Sequence, residues 1–205
     1  MSNLTMSTAT AIVAQVTAGT LTAESVVRAH LERIAARDDA VRAWAHLDPS
    51  AALDAAIALD RRGARGPLAG VPIAVKDLID TGDMPTAYGS TIYAGHQPAD
   101  DAAVVAASRA ADGLVLGKSV TTEFAWRNPG PTTNPHNPAH TPGGSSSGSA
   151  AAVADGQATL GFGTQTAGSV IRPAAYCGVV GFKPTRGTYS TAGVKPLSPY
   201  LDTVG

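Results

Sequence analysis

Residues 128–149 constrain this chain more than any other stretch. They hold five prolines and four glycines and almost no apolar side chains. Proline removes a backbone donor, and glycine loses the most freedom on ordering, so no helix or strand can run through them. Regular structure must lie on either side of a long irregular segment. Connections of that length inside a compact domain are uncommon and are usually site loops. A linker between domains is the alternative. Against it, residues 150–154 follow at once as an alanine-rich helical run suited to burial, which anchors the far end of the loop in a core.

Before the loop, the first 65 residues read as a helical region. Ser7 or Thr8 caps a helix carrying Ile12, Val13 and Val16. Thr22 caps a second, with Glu24 in its first turn and Val27, Leu31 and Ile34 on one face. Ser50 starts a third, carrying Leu53 and Ile57 and ending before Gly63. From residue 66 the pattern alternates. An apolar strand is expected at 71–75, a helix at 101–111 capped by Asp100 or Asp101, and a short strand at 114–116. A short helix at 121–126 and a strand-like run at 158–163 complete the series. Strands alternating with helices predict an α/β fold whose sheet is covered on both faces.

Composition excludes several function classes. Hydrophobic residues make up 44% of the chain and charged residues 15%, enough for a sizeable core and contrary to disorder. A net charge of −1 leaves no basic footprint for nucleic acid or an anionic membrane. No apolar run is long enough to span a bilayer. No basic residue precedes Arg28, so a secretory signal is not expected and a cytoplasmic location is. The lone Cys177 cannot form an internal disulfide, and Ala174, Ala175, Tyr176 and Val179 around it fit a small buried hydrophobe better than a nucleophile. No motif calls for a metal or cofactor.

Three features carry chemistry. Lys76 ends the apolar strand. A buried lysine loses solvation of its charged form, so it can serve as a general base near neutrality. Asp77 beside it opposes that if its carboxylate lies close. A snorkelling surface lysine is the ordinary alternative. Next, 144–148 reads Gly-Ser-Ser-Ser-Gly, which matches the nucleophile elbow with Ser146 as nucleophile. The elbow needs a strand before it and an acid and a histidine after it. Thr141-Pro142-Gly143 is poor strand material, and all histidines lie at or before His140. A phosphate loop fails too, because no Gly-Lys-Ser/Thr follows. What remains is a loop entering a small-residue helix, where Ser145 could pass protons or simply cap the helix. Third, Gln165-Thr166-Ala167-Gly168-Ser169 is a turn of small residues whose N–H groups could line an oxyanion hole, or a plain turn.

Together these stretches resemble the amidase signature family. The likeness runs through Gly143-Gly144-Ser145-Ser146-Ser147-Gly148, Gly163-Thr164-Gln165-Thr166-Ala167-Gly168-Ser169, and Arg172 to Thr185, with Pro72-Ile73-Ala74-Val75-Lys76-Asp77 matching the family's lysine strand. It covers nearly the whole chain. The resemblance implies the family's α/β fold, a mixed central sheet flanked by helices on both faces. Residues 66–205 would be the first part of that core, cut short at its C-terminus. It implies amide C–N hydrolysis through an acyl-enzyme on Ser169, with Ser145 as bridging serine after a cis peptide bond and Lys76 as base. The amides of Thr166, Ala167, Gly168 and Ser169 would face the oxyanion, and Arg172, Ser146 and Thr164 would bind a small-molecule amide. No cofactor, nucleic acid or membrane partner is implied, and a homodimer is one expected assembly.

The chain departs from the family pattern at three places. Ala167 stands where glycine is usual, which adds strain if the position needs a positive φ. Gln165 replaces a common aspartate. Arg172 lies three residues after Ser169, where two is more usual. That spacing, with Thr133-Asn134-Pro135-His136-Asn137 and Tyr176, is similar to malonamidase-type members, and it implies a carboxylate-bearing substrate held by Arg172. A structural arginine on loop carbonyls is the other reading. Within the family, the A subunit of a tRNA-dependent amidotransferase is the alternative function. Family members usually run to twice this length or more, so an incomplete, non-catalytic fragment and a need for a C-terminal half are further expectations.

Overall fold

The computed structural model describes residues 4–205. A four-stranded sheet is built from β1 Trp44–Leu47, β2 Pro72–Lys76, β3 Leu114–Ser119 and β4 Leu160–Phe162, in the order β1-β3-β2-β4. Strand β2 runs parallel to both its neighbours, and β1 is antiparallel to β3, so the sheet is mixed. Every residue of β2 is buried. That explains its unbroken apolar run, because a central parallel strand meets protein on both faces. β1 falls inside the stretch that reads as wholly helical, and four residues are too few to show a strand's alternation.

The helices are α1 Ala9–Thr17, α2 Ala23–Val41, α3 Pro49–Arg62, α4 Ala103–Ala110, α5 Ser147–Ala154 and α6 Ile171–Cys177. Thr8 and Thr22 cap α1 and α2 by accepting from Ala11 N and Ser25 N. α3 starts earlier than Ser50. Asp48 caps it, and Pro49 takes the first helical position, where its missing N–H costs nothing. Neither Asp100 nor Asp101 caps α4, whose cap position is Ala102. The Asp101 carboxylate instead accepts from Gly82 N and pairs with Arg109. The helix expected at 121–126 is only a short 3-10 turn, Glu123–Ala125, because Phe124 and Ala125 sit at φ 49° and 57°. Phe124 leaves helical geometry to join the Tyr88–Tyr93 ring cluster.

Helices cover both faces of the sheet. Ile73, Val75 and Val115 pack with Ile12, Val104 and Val105 on one side. On the other, Leu114 and Leu116 meet α2 and α3, while Ala74 meets Ala150, Ala151 and Ala152 of α5. Strand β3 carries one extra residue, Leu116, between the pairs Ile73–Val115 and Ala74–Gly117. One inserted residue reverses side-chain parity beyond it. Lys118 therefore shares a face with Val75, and Ser119 shares the face of Lys76 and α5. Two lysines on adjacent strands are sent to opposite sides of the sheet.

The small residues of α5 let it lie very close to that face. A Cβ on Gly148 would fall 2.2 Å from Ala43 O and 2.4 Å from Val120 N. This contact brings the start of α5, and the loop before it, to the end of β2. A second sheet of β5 Thr164–Gln165 and β6 Thr203–Val204 pairs antiparallel and draws the last residues against the segment before Ser169. Among the described residues, no helix is long and apolar enough to cross a membrane.

Candidate active site

Lys76 is the last residue of β2 and has no solvent exposure, so it does not snorkel. Its Nζ lies 2.8 Å from Ser145 Oγ and 2.7 Å from Thr164 Oγ1, with Thr164 O at 3.4 Å. Burial pulls its pKa down to about 7, against the field of Asp202, which raises it. An ammonium there donates to Ser145, whereas the neutral amine can accept the Ser145 proton. Asp77 does not hold Lys76 charged. Its side chain turns to the opposite face, where its Oδ1 lies 3.8 Å from Lys118 Nζ. Lys118 is also fully buried, donating to Ile79 O and Thr86 Oγ1. Burial lowers its pKa to about 8, with Asp77 opposing. Sequence reasoning misses it, because the short apolar run 114–116 gives no sign that the strand continues inward.

The peptide between Gly144 and Ser145 is cis. Ser145 is buried, and its carbonyl accepts from Thr122 N at 3.1 Å. It is not a helix cap: Ser146 occupies that position in α5 and makes no side-chain cap bond. Ser146 instead joins two loops. Its N donates to Ser169 O at 3.2 Å, and its Oγ accepts from Thr164 N at 3.3 Å. Gly163 permits this approach, because a Cβ there would stand 2.7 Å from Ser146 Oγ. The elbow reading of Ser146 thus meets a buried hydroxyl engaged by backbone.

Ser169 lies two residues before α6 and is buried. Among the described residues, its hydroxyl has no hydrogen-bond partner, and the amides of Thr166, Ala167, Gly168 and Ser169 donate to no protein acceptor. Four unclaimed N–H groups in one turn are an anion-binding arrangement. Ala167 is not among the residues at positive φ, so the alanine adds no left-handed strain. Gln165 Oε1 accepts from Val170 N and Ile171 N, at 2.9 and 3.0 Å, and so takes up orphan donors at the start of α6 without a charge.

Arg172 is exposed, and its Nε donates to Gly144 O at 2.9 Å. That contact is the structural one, an arginine on a loop carbonyl, and it leaves both Nη groups without an acidic partner among the described residues. The 133–137 stretch is spent on structure. Asn134 donates to Tyr176 O, and His136 Nε2 meets Cys177 O at 2.8 Å, so both meet the last carbonyls of α6. Cys177 is buried, and burial raises its thiol pKa to about 11. Such a thiol holds its proton at neutral pH and is a poor nucleophile. Sequence reasoning also misses Asp202. Thr166 Oγ1 donates to its carboxylate from 36 residues away. No short-range rule assigns it this partner, because the contact exists only once β6 pairs with β5.

Lys76, Ser145 and Thr164 thus share a buried cluster, and Ser146 ties it to Ser169 and its turn. This arrangement matches known proteins along almost its whole length. The family model described as Amidase matches residues 25–205. The A subunit of a glutamyl-tRNA(Gln) amidotransferase from Acidothermus cellulolyticus is 47% identical over all of this chain and 43% of its own. Peptide amidase from Stenotrophomonas maltophilia superposes with a TM-score of 0.92 at 40% identity, covering 97% of this chain and 44% of that one. The glutamyl-tRNA(Gln) amidotransferase A subunit from Thermotoga maritima superposes with a TM-score of 0.77 at 34% identity, over 89% of this chain and 40% of its own. The chain therefore spans less than half the length of these relatives.

Proposed function

Because this chain belongs to the amidase family, we propose that it carries the amide-cleaving centre of a C–N hydrolase, acting through an acyl-enzyme on Ser169. The observation that carries the reading is a wholly buried lysine 2.8 Å from the hydroxyl of Ser145. Neutral Lys76 takes the proton of Ser145 as Ser145 takes that of Ser169. Ser169 Oγ attacks the amide carbon, and the oxyanion meets the free amides of Thr166, Ala167, Gly168 and Ser169. One such donor is worth about 2.7–4 kcal/mol in the transition state. Ser145 returns a proton to the leaving nitrogen, the C–N bond breaks, and ammonia or an amine departs. Water then attacks the ester by the reverse proton path and releases the acid. That the Ser169 hydroxyl has no partner among the described residues fits a site whose catalytic hydrogen bonds close only around substrate.

Of the residues expected to bind substrate, Arg172 keeps that assignment, since its free Nη groups can meet a carboxylate beside Gly144. The Thr164 and Ser146 hydroxyls are engaged with Lys76 and with backbone, so we assign them to holding the two loops together. Labelling by an amide-directed serine probe tests the core of the reading. Adduct on Ser169 that disappears in Lys76→Ala is the expected result, and adduct on Ser146 overturns it.

The fate of the nitrogen separates two readings. The names of the curated relatives, at 43–47% identity, favour an A subunit that passes ammonia to a charged tRNA. The stand-alone alternative is hydrolysis of a small carboxylate-bearing amide. In the first, partner subunits carry the RNA contact, since a net charge of −1 gives this chain little to offer phosphates. Ammonia release measured with and without partner subunits and glutamyl-tRNA(Gln) decides. Transfer to the tRNA supports the amidotransferase reading, and equal free release supports the stand-alone amidase.

A further inference from the structure

Two loop segments touch Lys76, and one acidic residue ties the second of them to the loop at 197–198. One oxygen of Asp202 accepts from Thr166 Oγ1, and the other accepts from Leu197 N and Ser198 N, both at 2.8 Å. Strand β6 begins at the next residue and pairs Thr203 with Gln165 and Val204 with Thr164. Beyond it, Gly163 and Gly205 exchange backbone bonds at 2.7 and 3.1 Å. The segment 163–166 is thus held along one edge by β6 and Asp202, while Thr164 Oγ1 meets Lys76.

We propose that Asp202 is a positioning residue of this site, fixing through Thr166 the turn that carries Ser169 and placing a carboxylate against the segment whose Thr164 meets Lys76. The proposal rests on the acyl-enzyme reading above for its catalytic meaning. Its geometry is independent of that reading. Ser145 and Thr164, which touch Nζ, are uncharged. Ser119, paired with Lys76 across the strands, is bound to Ser149. Asp77 and Lys118 occupy the other face and meet each other, with Asp80, Asp83 and Asp101 acting on Lys118. Asp202 is the acid whose field reaches Lys76.

Two effects then oppose each other at the base. Burial lowers the proton affinity of Lys76 and Asp202 restores part of it, so the base can take a proton and still release it to the leaving nitrogen. Meanwhile the same carboxylate holds Thr166, the first residue of the candidate oxyanion turn. Its oxygens accept from one hydroxyl and two amides, which hold the carboxylate facing the turn. It acts through Lys76 and the turn.

Asp202→Asn separates charge from shape. Asparagine keeps all three contacts if Oδ1 accepts the two amides and Nδ2 donates to Thr166 Oγ1. The readout is the pH titration of the lysine 13Cε resonances of Lys76, Lys118, Lys183 and Lys195 in the labelled chain. Removing an anion disfavours the ammonium, so the Lys76 midpoint should fall by on the order of one pH unit. An unmoved or raised Lys76 midpoint in folded protein overturns the electrostatic role. Thr166→Val removes the tether and keeps the charge. It should leave the Lys76 midpoint in place and slow serine-probe labelling of Ser169 severalfold. Unchanged labelling there overturns the tether. The titrations do not require Ser169 to react, so a parent chain that never labels at Ser169 counts against the acyl-enzyme reading alone.

Discussion

Replacing Lys76 with methionine should stabilise the fold at neutral pH while abolishing the chemistry. The ordinary lysine value is 10.5, and burial takes Lys76 to about 7. Below pH 7 both folded and unfolded chains hold the proton, so the group contributes no slope. Between about 7 and 10.5 the unfolded chain binds a proton that the folded chain does not, so stability rises with pH. Each unit of difference is worth about 1.4 kcal/mol, so the full difference costs the fold roughly 4–5 kcal/mol at neutral pH. Methionine removes that cost but strands the hydroxyls of Ser145 and Thr164, a loss of about 2 kcal/mol. The net expectation is a variant about 2 kcal/mol more stable at pH 7. That advantage should shrink by about 3 kcal/mol by pH 9.5, where the parent has shed most of its penalty. Urea denaturation of both proteins at several pH values measures it. Lys118 adds a slope of the same sign, but it is present in both chains and cancels. Parallel stability curves for parent and variant would refute the reasoning, because they would mean that Lys76 is not a desolvated titrating group.

Other expectations concern the loops and the core. Ser145→Ala should lower the rate of Ser169 labelling by about 10²–10⁴, the usual worth of a positioned proton carrier, while Cys177→Ser leaves it within a small factor. Gly148→Ala should destabilise by about 3 kcal/mol or more in thermal melts, since the new methyl meets the backbone of Ala43 and Val120 and neither can yield alone. Leu59→Ala, on α3 and fully buried in the cluster it forms with α2 and β3, should cost about 2–5 kcal/mol without changing the Lys76 midpoint. Arg172→Ala should weaken binding of a carboxylate-bearing amide about tenfold or more relative to its neutral analogue. Equal losses for both would assign Arg172 to the Gly144 carbonyl alone.

What the sequence reveals of this molecule follows the range of the forces involved. Caps at Thr8 and Thr22 are read correctly because an N-cap is decided within three residues. The apolar run before Lys76 is legible because a strand buried on both faces needs no alternation. Starting α3 at Ser50 is a local error, because Asp48 caps the helix and Pro49 takes its first position. Asp101 is different, since its carboxylate answers Gly82 and Arg109 and no short-range rule includes them. The same division runs through the site. Ser145 and Ser169 announce themselves in glycine-rich runs, because loops of that composition exist to expose backbone. Lys118 depends on an extra residue in β3, and Asp202 on a strand pairing, and neither is written near the residue it governs. Both shape the surroundings of Lys76. Without the bulge at Leu116, Lys118 would share the face of Lys76, and two buried lysines would compete for one cluster of hydroxyls. With it, Lys118 meets Asp77 on the far side and, among the described residues, leaves the hydroxyls of Ser145 and Thr164 to Lys76. The motif therefore marks the residues proposed to react, and the register of two strand pairs arranges the charged groups around them.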